Sequence, residues 1–158
     1  MKYNEIEQQG FEIMQTFLPT KNFRTVAKAL DYRRLGKQRV ECKQILNALS
    51  PSYDKKGWVN HPATKMWRGY ENALRHYANC MIEEWISRGY NNTMELYKID
   101  GPIVYPEWLG YPELHKSHRM NLLRKDYVYY KEHFNVDSTT DLKTIAQYPY
   151  YWPTEHER

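Results

Sequence analysis

The sequence predicts a mainly α, single-domain fold. Three observations carry that expectation. Apolar residues recur at helical spacing in several stretches, no stretch alternates convincingly at period two, and Gly and Pro clusters fall between the periodic runs. A chain of 158 residues is about one domain's worth, long enough for one hydrophobic core without a disulfide or metal staple. Residues 1–13 read as a short acidic N-terminal extension, and residues 14–158 as one helical domain.

The elements follow in order. Residues 14–19 (MQTFLP) form a brief extended segment ending at Pro19. Asn22 suits an N-cap, so a helix runs through FRTVAKALD. A second helix spans Arg33 to Leu49, its buried stripe made by Leu35, Cys42, Leu46 and Leu49. Pro51, Asp54 and Gly57 mark a loop. The longest helix is expected from about Ala63 to Arg88, with Trp67, Tyr70, Leu74, Tyr77, Met81 and Trp85 on one stripe and Gly89 as a left-handed cap. Residues 101–112 carry three prolines and two glycines and read as loop. A further helix is expected from Glu113 to about Phe134, and the tail 148–153 (YPYYWP) packs without regular structure.

Composition narrows the function. Lys and Arg number 23 against 19 Asp and Glu, a formal charge of +4, which permits a polyanionic partner without demanding one. The 15 Tyr, 5 Trp and 4 Phe must carry much of the burial and leave some rings for a surface. No run approaches a membrane span, and MKYNEIEQQG has no apolar signal-peptide core. Cys42 and Cys80 are too few for a disulfide framework and read as reduced core thiols in an intracellular, reducing compartment.

The stretch 33–43, RRLGKQRVECK, is the most informative. At 100° per residue, Arg34, Lys37, Gln38 and Glu41 share a face opposite the leucine stripe, with Arg39 at its edge. Such cations hold phosphates, and a carboxylate among them can act on a sugar or base as an acid–base. The same face also suits an ordinary solvated surface with a Lys37–Glu41 pair. Gly36 inside the helix costs about 1 kcal/mol relative to Ala, tolerable where a nucleic-acid strand or a neighbouring helix comes close.

Two further motifs stand out. Asn60, His61 and Pro62 precede a helix: they can receive an anion, His61 can donate to phosphate or shuttle a proton, or the turn is simply a cap. The string HKSHR places Ser117, His118 and Arg119 as a candidate phosphate-facing cluster, while His115 and His118 alone are too few for a metal site. Tyr127, Tyr129, Tyr130, Tyr148, Tyr150, Tyr151 and Trp152 read mainly as core. Interleaved with Lys125 and Lys131, some suit stacking on an unpaired base.

Taken together, these strings resemble the pyrimidine-dimer DNA glycosylases of the phage endonuclease V type, and look closest to their bacterial and viral branch. The resemblance rests on TFLP at 16–19, LDYRRLGKQRVECKQIL at 30–46, NHPATKMWRGYENAL at 60–74, EWISRGY at 84–90, PEWLG at 106–110, SHRMNLLRKDYVYY at 117–130 and YYWP at 150–153. It implies a compact helical fold and a base-excision enzyme acting on a damaged or modified pyrimidine in double-stranded DNA with a flipped base. It also implies an N-terminal α-amine that attacks C1′, a glutamate that assists, strand nicking by β-elimination, and no metal or organic cofactor. An α-amine suits that task because its unperturbed pKa is about 7.7–8.0.

The chain departs from that pattern twice. Thirteen residues precede Met14, so the amine must come from a lead that folds back or is removed, or from a start at Met14. Where the repair enzymes carry Arg-Glu-Leu, this chain reads Arg33-Arg34-Leu35. The acid therefore falls to Glu41, with Asp31 as second choice and Lys37 or Lys65 as an internal amine. The expected DNA contacts are Arg34, Lys37, Arg39, His61, Arg68, Ser117, His118, Arg119 and Lys125. A DNA-binding module without chemistry, or a structural protein using the aromatic tail against a partner, are the competing readings.

Overall fold

The computed structural model describes residues 14–52, 58–136 and 140–156, with the backbone alone at 155–156. The expected N-terminal extension, and Asp54 and Gly57 of the expected loop, lie outside the described residues. Seven α-helices and one 3-10 turn make up the regular structure, with no strand among the described residues. They are α1 (Phe23–Ala29), α2 (Tyr32–Leu49), α3 (Pro62–Lys65), α4 (Glu71–Ser87), α5 (Pro112–Lys125), α6 (Tyr127–His133) and α7 (Leu142–Gln147), then the turn Pro153–His156.

Local chemistry explains the boundaries. Asn22 caps α1 through its side chain, which accepts the Thr25 N–H, and Asp126 and Asp141 cap α6 and α7 in the same way. Gly89 follows α4 with φ +89°, as the sequence predicts for a left-handed cap.

Two expected helices are interrupted. The run 63–88 breaks at residues 66–70, because Gly69 takes φ +90° and Tyr70 is an N-cap outside helical geometry. The longest helix is therefore α2, with 18 residues. The run 113–134 breaks at Asp126, whose extended backbone (φ −154°, ψ 80°) ends α5 and starts α6. Helix α7 has no counterpart in the sequence reading: it is six residues long and buries only Ile145.

Helix α4 packs along α2 and α1, while α5 contacts α6 and α7. Trp67, Tyr77 and Tyr130 are the largest fully buried side chains, so aromatics do carry the core. Gly36 is explained by helix packing: a Cβ there would sit 2.8 Å from the Trp85 ring on α4. The extended segment 14–19 is buried at every residue and threads between α2 and α5 through its hydrogen bonds. That placement organises the site.

Candidate active site at the Glu41 face of α2

A buried extended segment must satisfy its backbone groups without a sheet. Here side chains do so. Gln38, one turn before Glu41 on α2, accepts the Phe17 N–H at 3.0 Å and donates to Gln15 O at 3.1 Å, imitating a strand partner. The Tyr77 hydroxyl lies 2.6 Å from Phe17 O and 2.7 Å from Gln38 Oε1. On the α5 side, Leu18 N–H donates to His118 Nδ1 at 2.8 Å, and His115 Nδ1 lies 2.8 Å from Leu18 O. Gly110 N–H donates to His115 Nε2, so His115 carries its proton on Nδ1 and gives it to Leu18 O. Arg119 donates to Pro19 O at 2.8 Å, and Asn121 holds the Gln15 side chain at 2.9 Å.

At the head of this segment, Gln15 N–H donates to Glu41 Oε1 at 2.8 Å. Glu41 is 3% exposed. Burial raises its pKa to about 8, against the opposing pull of the Gln15 hydrogen bond and of the charges on Lys37 and Lys125. A carboxylic acid still protonated near neutral pH can give a proton away. Close by, Tyr150 stacks on His118 with ring centroids 4.7 Å apart. The Tyr150 hydroxyl and His118 Nε2 are both buried and have no hydrogen-bond partner among the described residues. Burial and the Glu41 charge push the Tyr150 phenol up, and burial lowers His118 to about 3, so both are neutral hydrogen-bond donors near pH 7.

The predicted site residues separate into groups. Glu41, Lys37 and Lys125 come together electrostatically. Asp31 does not join them: it lies ten residues earlier on the same helix, about 15 Å away along the axis. Tyr130 donates a hydrogen bond to its carboxylate, and Arg34 lies 3.2 Å from it. Arg34 is thus partly engaged at the helix start.

Arg39 points to another surface, where its guanidinium lies 4.2 Å from the Trp85 ring centroid and donates to Asn92 Oδ1. The expected single cationic face is corrected accordingly: packing at Trp85 draws Arg39 away, and the extended segment covers Gln38 and Glu41. His61 caps α3, accepting Ala63 N–H, and Arg68 donates to Val59 O across the same turn.

The expected phosphate-facing cluster is also corrected. Ser117 and His118 are each 1% exposed and turn inward, Ser117 donating to Leu114 O and accepting Tyr151 N–H. Sequence reasoning missed Gln15 and Asn121 altogether, and named Gln38, Tyr77 and His115 without their role as partners of the buried backbone. Their signal was indirect: a six-residue run that is buried throughout needs polar side chains to bond its backbone. No group of three His, Cys, Asp or Glu suited to a metal occurs among the described residues.

A model of the pyrimidine dimer DNA glycosylase family matches residues 14–98. The chain belongs to the pyrimidine dimer DNA glycosylase family. The matched range begins at the segment that meets Glu41 and runs beyond α4, so it holds Gln15, Lys37, Gln38, Glu41 and Tyr77, whereas α5 and the aromatic tail lie beyond it. No curated protein and no solved structure shows a significant match. No helix among the described residues is long and apolar enough to cross a membrane.

Proposed function

We propose that the chain is a DNA base-excision enzyme, a glycosylase with lyase activity, acting on a damaged or modified pyrimidine. The observation that carries this reading is the 2.8 Å approach of the Gln15 nitrogen to Glu41. An amine freed at Met14, by initiation there or by removal of the lead, stands one residue before the Gln15 nitrogen that meets this acid, which is poised near pH 8.

The amine attacks C1′ of the nucleoside. The N–C1′ bond forms as the bond to the base breaks, and the departing base takes up the Glu41 proton. Ring opening gives a Schiff base, and loss of a proton from C2′ expels the 3′ phosphate by β-elimination. Water then releases the sugar fragment and restores the amine. Lys37 and Lys125 supply positive charge for the phosphates flanking the reacting nucleotide.

The test is base release and borohydride trapping on abasic DNA, comparing the full chain with one starting at Met14. The expected adduct maps by mass spectrometry to the N-terminal residue, and Glu41→Gln slows base release by about 10²–10⁴-fold. Absence of both release and trapping in either chain overturns the enzymatic reading.

One observation favours a second reading. In the intact chain the Gln15 nitrogen belongs to a peptide bond and is not a nucleophile. An unprocessed chain is then a DNA-binding module of the same fold. It binds DNA with a salt-dependent affinity and forms no covalent adduct.

A further inference from the structure

A cavity of about 680 Å³ opens between α1, α4 and the loop before α5. Its volume falls within the roughly 300–1,000 Å³ typical of small-ligand sites. Three rings build one wall. The Phe23 centroid lies 5.5 Å from that of His76 and 5.8 Å from that of Tyr105, and the last two are 6.4 Å apart. Phe23 is buried and anchors the group, while Tyr105 is 49% exposed. Lys21, Arg24 and Lys28 line the same cavity, and no carboxylate does among the described residues. It shares no lining residue with the Gln15–Glu41 site.

The charge here is unbalanced. Arg24 pairs with Glu83 at 3.0 Å. Lys21 and Lys28 have no ion-pair partner among the described residues. Two uncompensated cations match a phosphate monoester, which carries about −1.5 to −2 charges near pH 7 and three acceptor oxygens. An internal DNA phosphate carries a single charge and continues into the next nucleotide, so a bounded cavity suits a chain end better than a running strand. The open Tyr105 ring beside these cations offers a stacking face that any nucleobase satisfies.

We infer that this cavity holds a nucleoside 5′-monophosphate, free or as the 5′-phosphorylated end of a DNA strand, its phosphate on Lys21 and Lys28 and its base against Tyr105. The choice of a nucleotide among aromatic phosphate esters rests on the proposed DNA-directed reading. The site itself lies outside the Glu41 chemistry.

The test uses the full chain and fluorescence anisotropy with short 3′-labelled single strands that differ only in a 5′-phosphate or a 5′-hydroxyl. Unlabelled deoxynucleoside 5′-monophosphate and inorganic phosphate serve as competitors. The phosphorylated strand binds about tenfold or more tightly than the hydroxyl strand. Lys21→Ala combined with Lys28→Ala, both at exposed positions, brings that ratio to near one. Tyr105→Ala weakens the phosphorylated strand about tenfold or more. Competition by the monophosphate marks the free nucleotide as a sufficient occupant. A preference that persists without such competition assigns the site to the strand end.

Equal affinity for the two strands, or a preference unchanged in both the double lysine variant and Tyr105→Ala, overturns the inference. So does inorganic phosphate that competes as well as the monophosphate, because the ring then takes no part. If duplex base release persists in those cases, only the cavity assignment falls. If neither strand binds, no duplex is bound and no base is released, the DNA-directed reading falls with it.

Discussion

Helix α2 carries two buried acids with opposite fates. Asp31 at its start is held by the Tyr130 hydroxyl, and the Asp31 N–H donates back to the same oxygen at 2.9 Å. Arg34 adds an ion pair. Glu41, three turns later, meets the Gln15 N–H and, farther off, Lys37 and Lys125 among the described residues. An acid met by a cation and a phenol becomes a structural joint. An acid buried with incomplete compensation keeps its proton and stays available for chemistry.

Substitutions can break this contrast. The largest effect belongs to Glu41→Gln, which keeps the shape and the acceptor for Gln15 N–H but removes the acid. Base release falls by about 10²–10⁴-fold while the thermal transition is retained, as a discontinuous cleavage assay and circular dichroism will show. Tyr130→Phe has the reverse profile. It strands the Asp31 N–H and one carboxylate oxygen, costing about 1–3 kcal/mol in urea unfolding, with no change in the catalytic rate of the folded fraction.

Gly36→Ala sets a gain in helix propensity of about 1 kcal/mol against overpacking of about 1–3 kcal/mol on the Trp85 ring. A net loss of about 1 kcal/mol, read as a lower Tm, marks this glycine as a packing device.

The pH dependence sharpens the comparison further. The Glu41 pKa is raised from 4.5 to about 8, so the folded state binds a proton that the unfolded state has lost. Its contribution is fully present below pH 4.5 and is lost as pH rises toward and through 8. Glu41→Gln flattens that decline. His118 acts in the opposite sense. Lowered from 6.5 to about 3, it contributes stability above pH 6.5 that is lost as pH falls toward 3. Protonating its Nδ1 removes the acceptor for Leu18 N–H and releases the extended segment.

Some of this was legible in the sequence. Asn22 places the start of α1 and periodicity places α2 to within a residue, because both signals are local, but α1 stops at Ala29 before the expected Asp31, and Ile45 and Ala48 are buried where Leu46 and Leu49 were expected. The sequence sets Glu41 on an open cationic face, whereas the structure buries it beneath the extended segment. The breaks at Gly69 and Asp126 were hidden inside apolar stripes that continue on both sides of them.

The inward turn of Ser117 and His118 was hidden for a different reason. A histidine reads as a phosphate ligand until the chain that needs its nitrogen is located, and Leu18 lies 100 residues away. Arg39 was misplaced in the same manner, since only the fold brings Trp85 and Asn92 to it.

The central claim is that Glu41 stands protonated beside the Gln15 nitrogen. Selective ¹³C labelling of glutamate side chains, with the Glu41 signal assigned by Glu41→Gln, follows its titration directly. A midpoint near 8 is the predicted result. A midpoint near the ordinary 4.5 would mean that the carboxyl is ionised and solvated, and the account of Glu41 as the proton donor would be contradicted.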